Sequence, residues 1–294
     1  MIRRSTKASA GFTLIEMIVV IVITGIIAGA VAVFIRLPVQ GYVDAARRAE
    51  MTDIADAALR RMARDIRLAL PNSVRVTSTT TTSSIEFLPT KIGGRYRIDT
   101  DPTSTADPLS FSAPDMQFDQ LDVLSPLTGQ TITTGTDSIV IYNLGPGITG
   151  ADAYASTNPN RSLVTGLPGG ALGGEQRIQI LSIQFPLESP GNRFQVISGP
   201  VSYVCDTSAG NQTLTRYWGY SITPTQLSAA SLAASTASRA LVATNVEKCA
   251  FDYTPGVTAR SGVVALTLKI TESGAGESAE SAQLYHEVHV NNVP

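Results

Sequence analysis

Cysteine, histidine and charge are all scarce in this 294-residue chain, which has two cysteines, two histidines and a formal net charge of −2. So little charge, so evenly balanced, supplies no face for a polyanion, and no nucleic-acid partner is expected. Cys205 and Cys249 have no CxxC or Cys/His cluster around them, which argues against zinc. His286 and His289 are three apart. On a strand that spacing sets them on opposite faces, one toward the core and one toward solvent, and spoils chelation. GxSxG, SxxK, HExxH, GxxxxGK and strand-borne GxGxxG patterns are also missing, and the run GLPGGALGGE (166–175) lacks the lysine that would hold a phosphate. No enzyme, catalytic residue, cofactor or metal is therefore expected. Asp99, Asp101 and Asp107 share a Ser/Thr/Pro loop with oxygen ligands suited to calcium, but their spacing is not that of an EF-hand and no site is assigned. Trp218, flanked by Tyr217 and Tyr220, reads as core packing ahead of a sugar-binding surface.

What the chain does have is a long apolar run. Residues 12–35, FTLIEMIVVIVITGIIAGAVAVFI, carry one charge, Glu16. As a helix they reach about 36 Å at about 1.5 Å per residue, enough to cross a hydrocarbon core of about 30 Å. Arg3, Arg4 and Lys7 precede the run, so the positive-inside rule leaves residues 1–11 in the cytoplasm and sends the chain beyond residue 35 across the membrane. An ordinary secretory peptide puts small residues after its apolar stretch. Here Ala8, Ser9, Ala10 and Gly11 come first, so cleavage at that junction removes a basic leader and keeps the anchor.

Residues 39–70 then turn amphipathic. Ala55, Leu59, Met62, Ile66 and Leu70 recur at helical spacing, with Arg48, Asp53, Asp56, Arg60, Arg64 and Arg67 on other faces, and Pro71 stops the pattern. The arginine-rich face reads as solvated, with acidic neighbours or lipid head groups as the other candidates. Pro38 and Gly41 predict a kink or softened stretch between the two halves. Beyond Pro71 the chain is rich in Ser, Thr, Gly and Pro. Strands are expected at 73–77, 85–88, 95–99, 138–143, 176–185, 193–198, 200–205, 213–222, 246–253, 262–271 and 281–290. Residues 77–84, 100–108, 145–175 and 225–238 read as loops, the last with room for a short alanine-rich helix, and ESGAGESAE as a hairpin loop. Outside the cytoplasm an even pair of cysteines reads as one disulfide, with two separate buried thiols as the alternative. Val201, Tyr203 and Cys205 share one strand face, and Cys249, Phe251 and Tyr253 another.

The segment GFTLIEMIVVIVITGIIA closely resembles the class III signal of type IV prepilins and pseudopilins. The resemblance implies that prepilin peptidase, a membrane aspartyl enzyme, cuts after Gly11 and methylates the new terminus at Phe12. It also makes Glu16 the glutamate four places on. A carboxylate in the bilayer costs about 3 kcal/mol or more and wants a cation. The Phe12 amine of a neighbouring subunit would supply one and set axial register, the alternative being a Glu16 solvated at the interface. Partners implied are prepilin peptidase, other major and minor pilins, an inner-membrane assembly platform and inner-membrane lipid. The implied location is the inner membrane, single-pass with the head periplasmic, and then a pilus or pseudopilus.

NVEKCAFDY, VVALTLKIT and LYHEVHVNNVP resemble the closing strands of J-type minor pseudopilins of type II secretion. Together with PVQGYVDAARRAEMTDIADAALRRMARDIRLALPNSVRV, this ending is more similar still to minor pilins of the mannose-sensitive haemagglutinin (MSHA) pilus. The likeness is strong at both ends and weak over 77–195. The implied fold is α+β and pilin-like, a long N-terminal helix packed on a predominantly antiparallel β head. Its expected divisions are a leader at 1–11, a membrane helix at 12–35, an amphipathic extension at 36–70 and a head at 71–294. The implied role is a minor pilin that starts or caps a filament. A J-type pseudopilin and a tip-displayed adhesin or receptor are the alternatives.

Overall fold

The computed structural model describes residues 11–121, 131–170, 172, 175–255, 261–272 and 279–294. The chain divides between Glu50 and Met51 into two compact units. One helix, α1 (Leu14–Arg67), is continuous across that division and runs through Pro38 and Gly41.

In the first unit α1 is apolar on every side from Leu14 to Ile35, and its large side chains are exposed throughout, as a helix meant for lipid or for other helices requires. In the second unit the helix is amphipathic as its spacing predicts. Met51, Ala55, Leu59, Met62 and Ile66 are buried, while Arg60, Arg61, Arg64 and Arg67 are exposed. The helix stops three residues short of Leu70 because tertiary bonds capture the next backbone groups. Leu70 N–H donates to Leu88 O at 2.7 Å, and Thr90 N–H donates to Leu68 O at 2.7 Å. Proline at 71 also steers the residue before it out of the helical region.

Past the helix the strands are β1 (Arg75–Ser78), β2 (Thr82–Phe87), β3 (Thr90–Arg95), β4 (Asp115–Gln120) and β5 (Ser138–Ile141). There follow β6 (Arg161–Gly166), β7 (Gln176–Ile183), β8 (Arg193–Ile197), β9 (Val201–Asp206) and β10 (Thr213–Trp218). A short helix, α2 (Ala229–Ala234), precedes β11 (Ser238–Ala243), β12 (Val246–Thr254), β13 (Ser261–Glu272) and β14 (Glu280–Asn291). They form a five-stranded sheet in the order β1-β2-β9-β10-β11, a three-stranded sheet β12-β13-β14, and a six-stranded sheet β3-β8-β5-β6-β7-β4. Strand pairing is antiparallel throughout the described residues. The protein is thus α+β, a long helix followed by a predominantly antiparallel β head.

The main core lies between residues 51–69 and the five- and three-stranded sheets. Ile66, Tyr203, Cys205, Leu214, Leu266 and Leu268 all meet there. A second core, around Phe118, Phe194 and Ile178, belongs to the six-stranded sheet. Alternation explains the hairpin at the end of the chain: Val264, Leu266, Leu268 and Ile270 are buried on one face of β13, and Val288 and Val290 on the matching face of β14. Its loop, residues 273–278, lies outside the described residues.

Four strands escaped the reading of the sequence. β3 lies at 90–95 where 95–99 was expected, β4 and β11 had no candidate, and β6 sits inside the segment read as a long loop. β3 carries Gly93 and Gly94 just before its last residue, β4 carries three buried polar or aromatic residues in DMQFDQ, and β6 (RSLVTG) is half polar. None of them shows the alternation of a one-sided strand, because packing on the sheet and not local preference fixes them.

Candidate processing and assembly site at the start of the long helix

Gly11, Phe12 and Thr13 precede the helix, and Thr13 is its cap. Glu16 N–H donates to Thr13 Oγ1 at 3.3 Å, and Thr13 N–H and Oγ1–H both donate to Glu16 Oε2 at 2.9 Å. This reciprocal capping box satisfies backbone donors that the first turn leaves orphaned. The same carboxylate places negative charge at the positive end of the helix dipole. Glu16 thus has a local partner that the reading of the sequence passed over, although the T-x-x-E spacing was there to find. Among the described residues its other oxygen, Oε1, makes no hydrogen bond.

Phe12 is 84% exposed, so the residue following Gly11 is accessible. Among the described residues a Cβ added at Gly11 would meet nothing within 4 Å. Further along, Thr24 is the one hydroxyl between Leu14 and Ile35. It donates to Val20 O at 2.5 Å, which removes an unpaired polar group from an otherwise apolar surface.

Residues 6–32 match the prokaryotic N-terminal methylation motif. The chain therefore carries the N-terminal signature of type IV pilins and pseudopilins, a family of structural subunits. The motif covers the basic leader's end, the Gly11–Phe12 junction, Glu16 and most of the apolar helix. That helix is long and apolar enough for a single membrane pass. No curated protein and no solved structure matches the chain.

The head places the other singled-out residues separately. Cys205 on β9 and Cys249 on β12 are joined, with Cα atoms 6.4 Å apart, so the bridge ties the five-stranded sheet to the three-stranded one. His286 is half-buried and His289 exposed, on opposite faces of β14. Asp101 Oδ1 accepts from Thr103 Oγ1 and N–H, bonds that hold its carboxyl below the usual range, and Asp107 Oδ2 accepts from Gln117 at 2.7 Å. Among the described residues no cluster of three His, Cys, Asp or Glu side chains is placed to hold a metal ion. Tyr217 and Trp218 occupy opposite faces of β10, Tyr217 packed with Val204 and Leu232 and Trp218 against the main core. They form no common platform.

Two polar anchors had no signal in the sequence because their partners are far apart in it. Asp65 on α1 accepts from Tyr203 OH at 2.8 Å and from Arg216 Nε at 2.7 Å, fastening the helix to β9 and β10. Burial, with the Asp65 carboxylate beside it, pushes the Tyr203 phenol far up. Glu86, fully buried, accepts from Arg75 Nε at 2.8 Å, Tyr220 OH at 3.0 Å and Ser202 Oγ at 3.3 Å. Arg75 also donates to the carbonyls of Thr223 and Pro224, and its guanidinium lies 3.7 Å from the Tyr154 ring centroid. Burial outweighs Arg75 and raises the Glu86 carboxyl.

Proposed function

We propose that this chain is a minor pilin of a type IV, MSHA-like pilus, a structural subunit that helps start or cap the filament. In this reading prepilin peptidase removes residues 1–11, Phe12 becomes the methylated terminus, and the helix from Phe12 to Ile35 first anchors the protein in the inner membrane. The same helix then packs against those of other pilins as the assembly platform extracts it, and the head, on the periplasmic side, meets specific neighbours. The observation that carries the reading is the methylation motif at residues 6–32, with its glycine, its exposed phenylalanine and its single glutamate in order.

Glu16 has two states here. Before assembly its carboxylate is held by Thr13. In a filament the free oxygen, Oε1, meets the Phe12 amine of a neighbour, and the helix start keeps its cap. At Gly11 the requirement for a bare backbone comes from the peptidase cleft, and no described residue crowds that position. Intact-mass analysis of membrane-extracted protein tests the whole: a species lacking residues 1–11 and carrying one methyl group is expected, and a mature terminus elsewhere overturns it.

The three-stranded sheet that closes the chain supports a second reading, a J-type pseudopilin of type II secretion, because its sequences resemble that family's closing strands. Deletion of the gene separates them: loss of surface filaments follows from the pilus reading, and loss of secretion with pili intact from the other. Intact but non-adhesive filaments would assign the head a tip-adhesin role.

A further inference from the structure

The head carries a cleft of about 360 Å³ beside the C-terminal end of α1. Its wall brings together Asp65 from α1, Thr90 and Lys91 from β3, and Arg216 and Trp218 from β10. Arg216 is fixed in it by two contacts: its Nε donates to Asp65 Oδ2 at 2.7 Å, and its guanidinium carbon lies 4.9 Å from the centroid of the Trp218 ring. Among the described residues its terminal nitrogens make no hydrogen bond, although the side chain is only 19% exposed. Lys91 stands on the same wall, its Nζ 2.7 Å from Asp137 Oδ2, and Asp137 itself does not line the cleft. Thr90 Oγ1 is sealed from water and has no hydrogen-bond partner among the described residues. Neither that hydroxyl nor the fully buried Phe87 offers surface to the cleft.

Asp137 and Asp65 each neutralise one of the two cations, so net charge selects nothing here and the unused edge of Arg216 is what an anion would meet. A guanidinium held by its Nε and stacked on an indole presents its remaining edge as a fork, which matches a planar carboxylate with two parallel bonds. The aromatic surface suits an apolar body behind the charged group.

We propose that this cleft binds a carboxylate carried on an apolar body, with Arg216 as its bidentate partner and Trp218 against the body. A small aromatic acid and the C-terminal carboxylate of a neighbouring polypeptide both present this chemistry. The inference is independent of filament assembly, so its failure leaves the pilin reading untouched.

Trp218 is the only tryptophan in the chain, so intrinsic emission reports on the cleft without labelling. The mature full-length protein in alkyl-maltoside micelles is titrated with N-acetylphenylalanine, its carboxamide, phenylacetate, an N-acetyl tripeptide ending in phenylalanine, and inorganic phosphate. A saturable emission change is expected with the acids, with the carboxamide at least tenfold weaker. Phenylacetate binding as well as the tripeptide identifies a small acid as the ligand, and a much tighter tripeptide identifies a polypeptide terminus. Arg216→Lys keeps the charge and loses the fork, and should weaken binding about tenfold. Arg216→Gln removes the charge as well and should abolish the saturable change, while far-ultraviolet circular dichroism stays that of the wild type. The proposal is overturned by a flat response to every acid, by a carboxamide equal to the acid, by phosphate equal to either, or by full affinity in both variants.

Discussion

Glu16 faces competing demands. It closes the capping box with Thr13 in the single chain, and in the proposed filament it must also neutralise a neighbour's amine. Glu16→Ala should leave insertion and cleavage intact, since neither obviously needs the charge. Incorporation should fall, because a stranded ammonium in a low-dielectric bundle typically costs about 3–5 kcal/mol. Cross-linking of the cleaved variant to other pilins, at expression equal to wild type, measures this, and unchanged cross-linking would remove Glu16 from register setting. A Thr13→Val variant separates the two jobs, since it loses the cap, typically worth about 1 kcal/mol, and keeps the carboxylate. At the junction, Gly11→Leu should abolish processing. The added side chain meets no described residue, so an uncleaved precursor retaining residues 1–11 by mass assigns the restriction to the peptidase.

Among elements, the bond between β9 and β12 links two sheets that share no strand pairing. It spans 44 residues of sequence, and the chain-entropy model assigns a loop of that size about 4 kcal/mol, a model-dependent upper figure. Changing Cys205 and Cys249 together to serine should lower the denaturation midpoint accordingly, and thiol labelling of the native exported protein should find no reactive cysteine. Two reactive thiols would exclude the bridge. The junction of α1 with the sheets depends on Asp65 in a different way. Tyr203→Phe removes a donor to a carboxylate that still holds Arg216, so it should cost about 1.5 kcal/mol with the fold retained. Both features show what sequence pattern does not reach. The helix stripe from Ala55 to Ile66 follows from 3.6-residue spacing alone. The residue it pairs with at Asp65 lies 138 positions away.

For the molecule as a whole, the buried carboxyl of Glu86 is a source of pH dependence outside the range where the buried phenols titrate. Glu86 has its carboxyl raised above the ordinary value of 4.5, burial being the larger cause and Arg75, Tyr220 and Ser202 opposing it. The folded state therefore holds its proton longer than the unfolded one. The contribution of Glu86 to stability is fully present below about the ordinary carboxylate value and is lost as pH rises through the raised one. Glu86→Gln should flatten that part of the profile, above the ordinary carboxylate value, in denaturant titrations, and an unchanged slope would place the sensitivity elsewhere.

Local and one-dimensional features were legible in the sequence: an apolar helix long enough for a bilayer, basic residues ahead of it, the T-x-x-E spacing at its start, the amphipathic stripe and the alternating strands β13 and β14. Each depends on periodicity or on residues within a few positions of one another, and short-range spacing survives in any fold. Tertiary structure alone decided the three-sheet arrangement, the strands β3, β4, β6 and β11, and the anchors at Asp65 and Glu86. It also decided the cleft around Arg216 and Trp218. Those depend on partners brought together over tens to hundreds of residues, where burial and hydrogen bonding outweigh the weak preference of a polar hexamer for any one conformation.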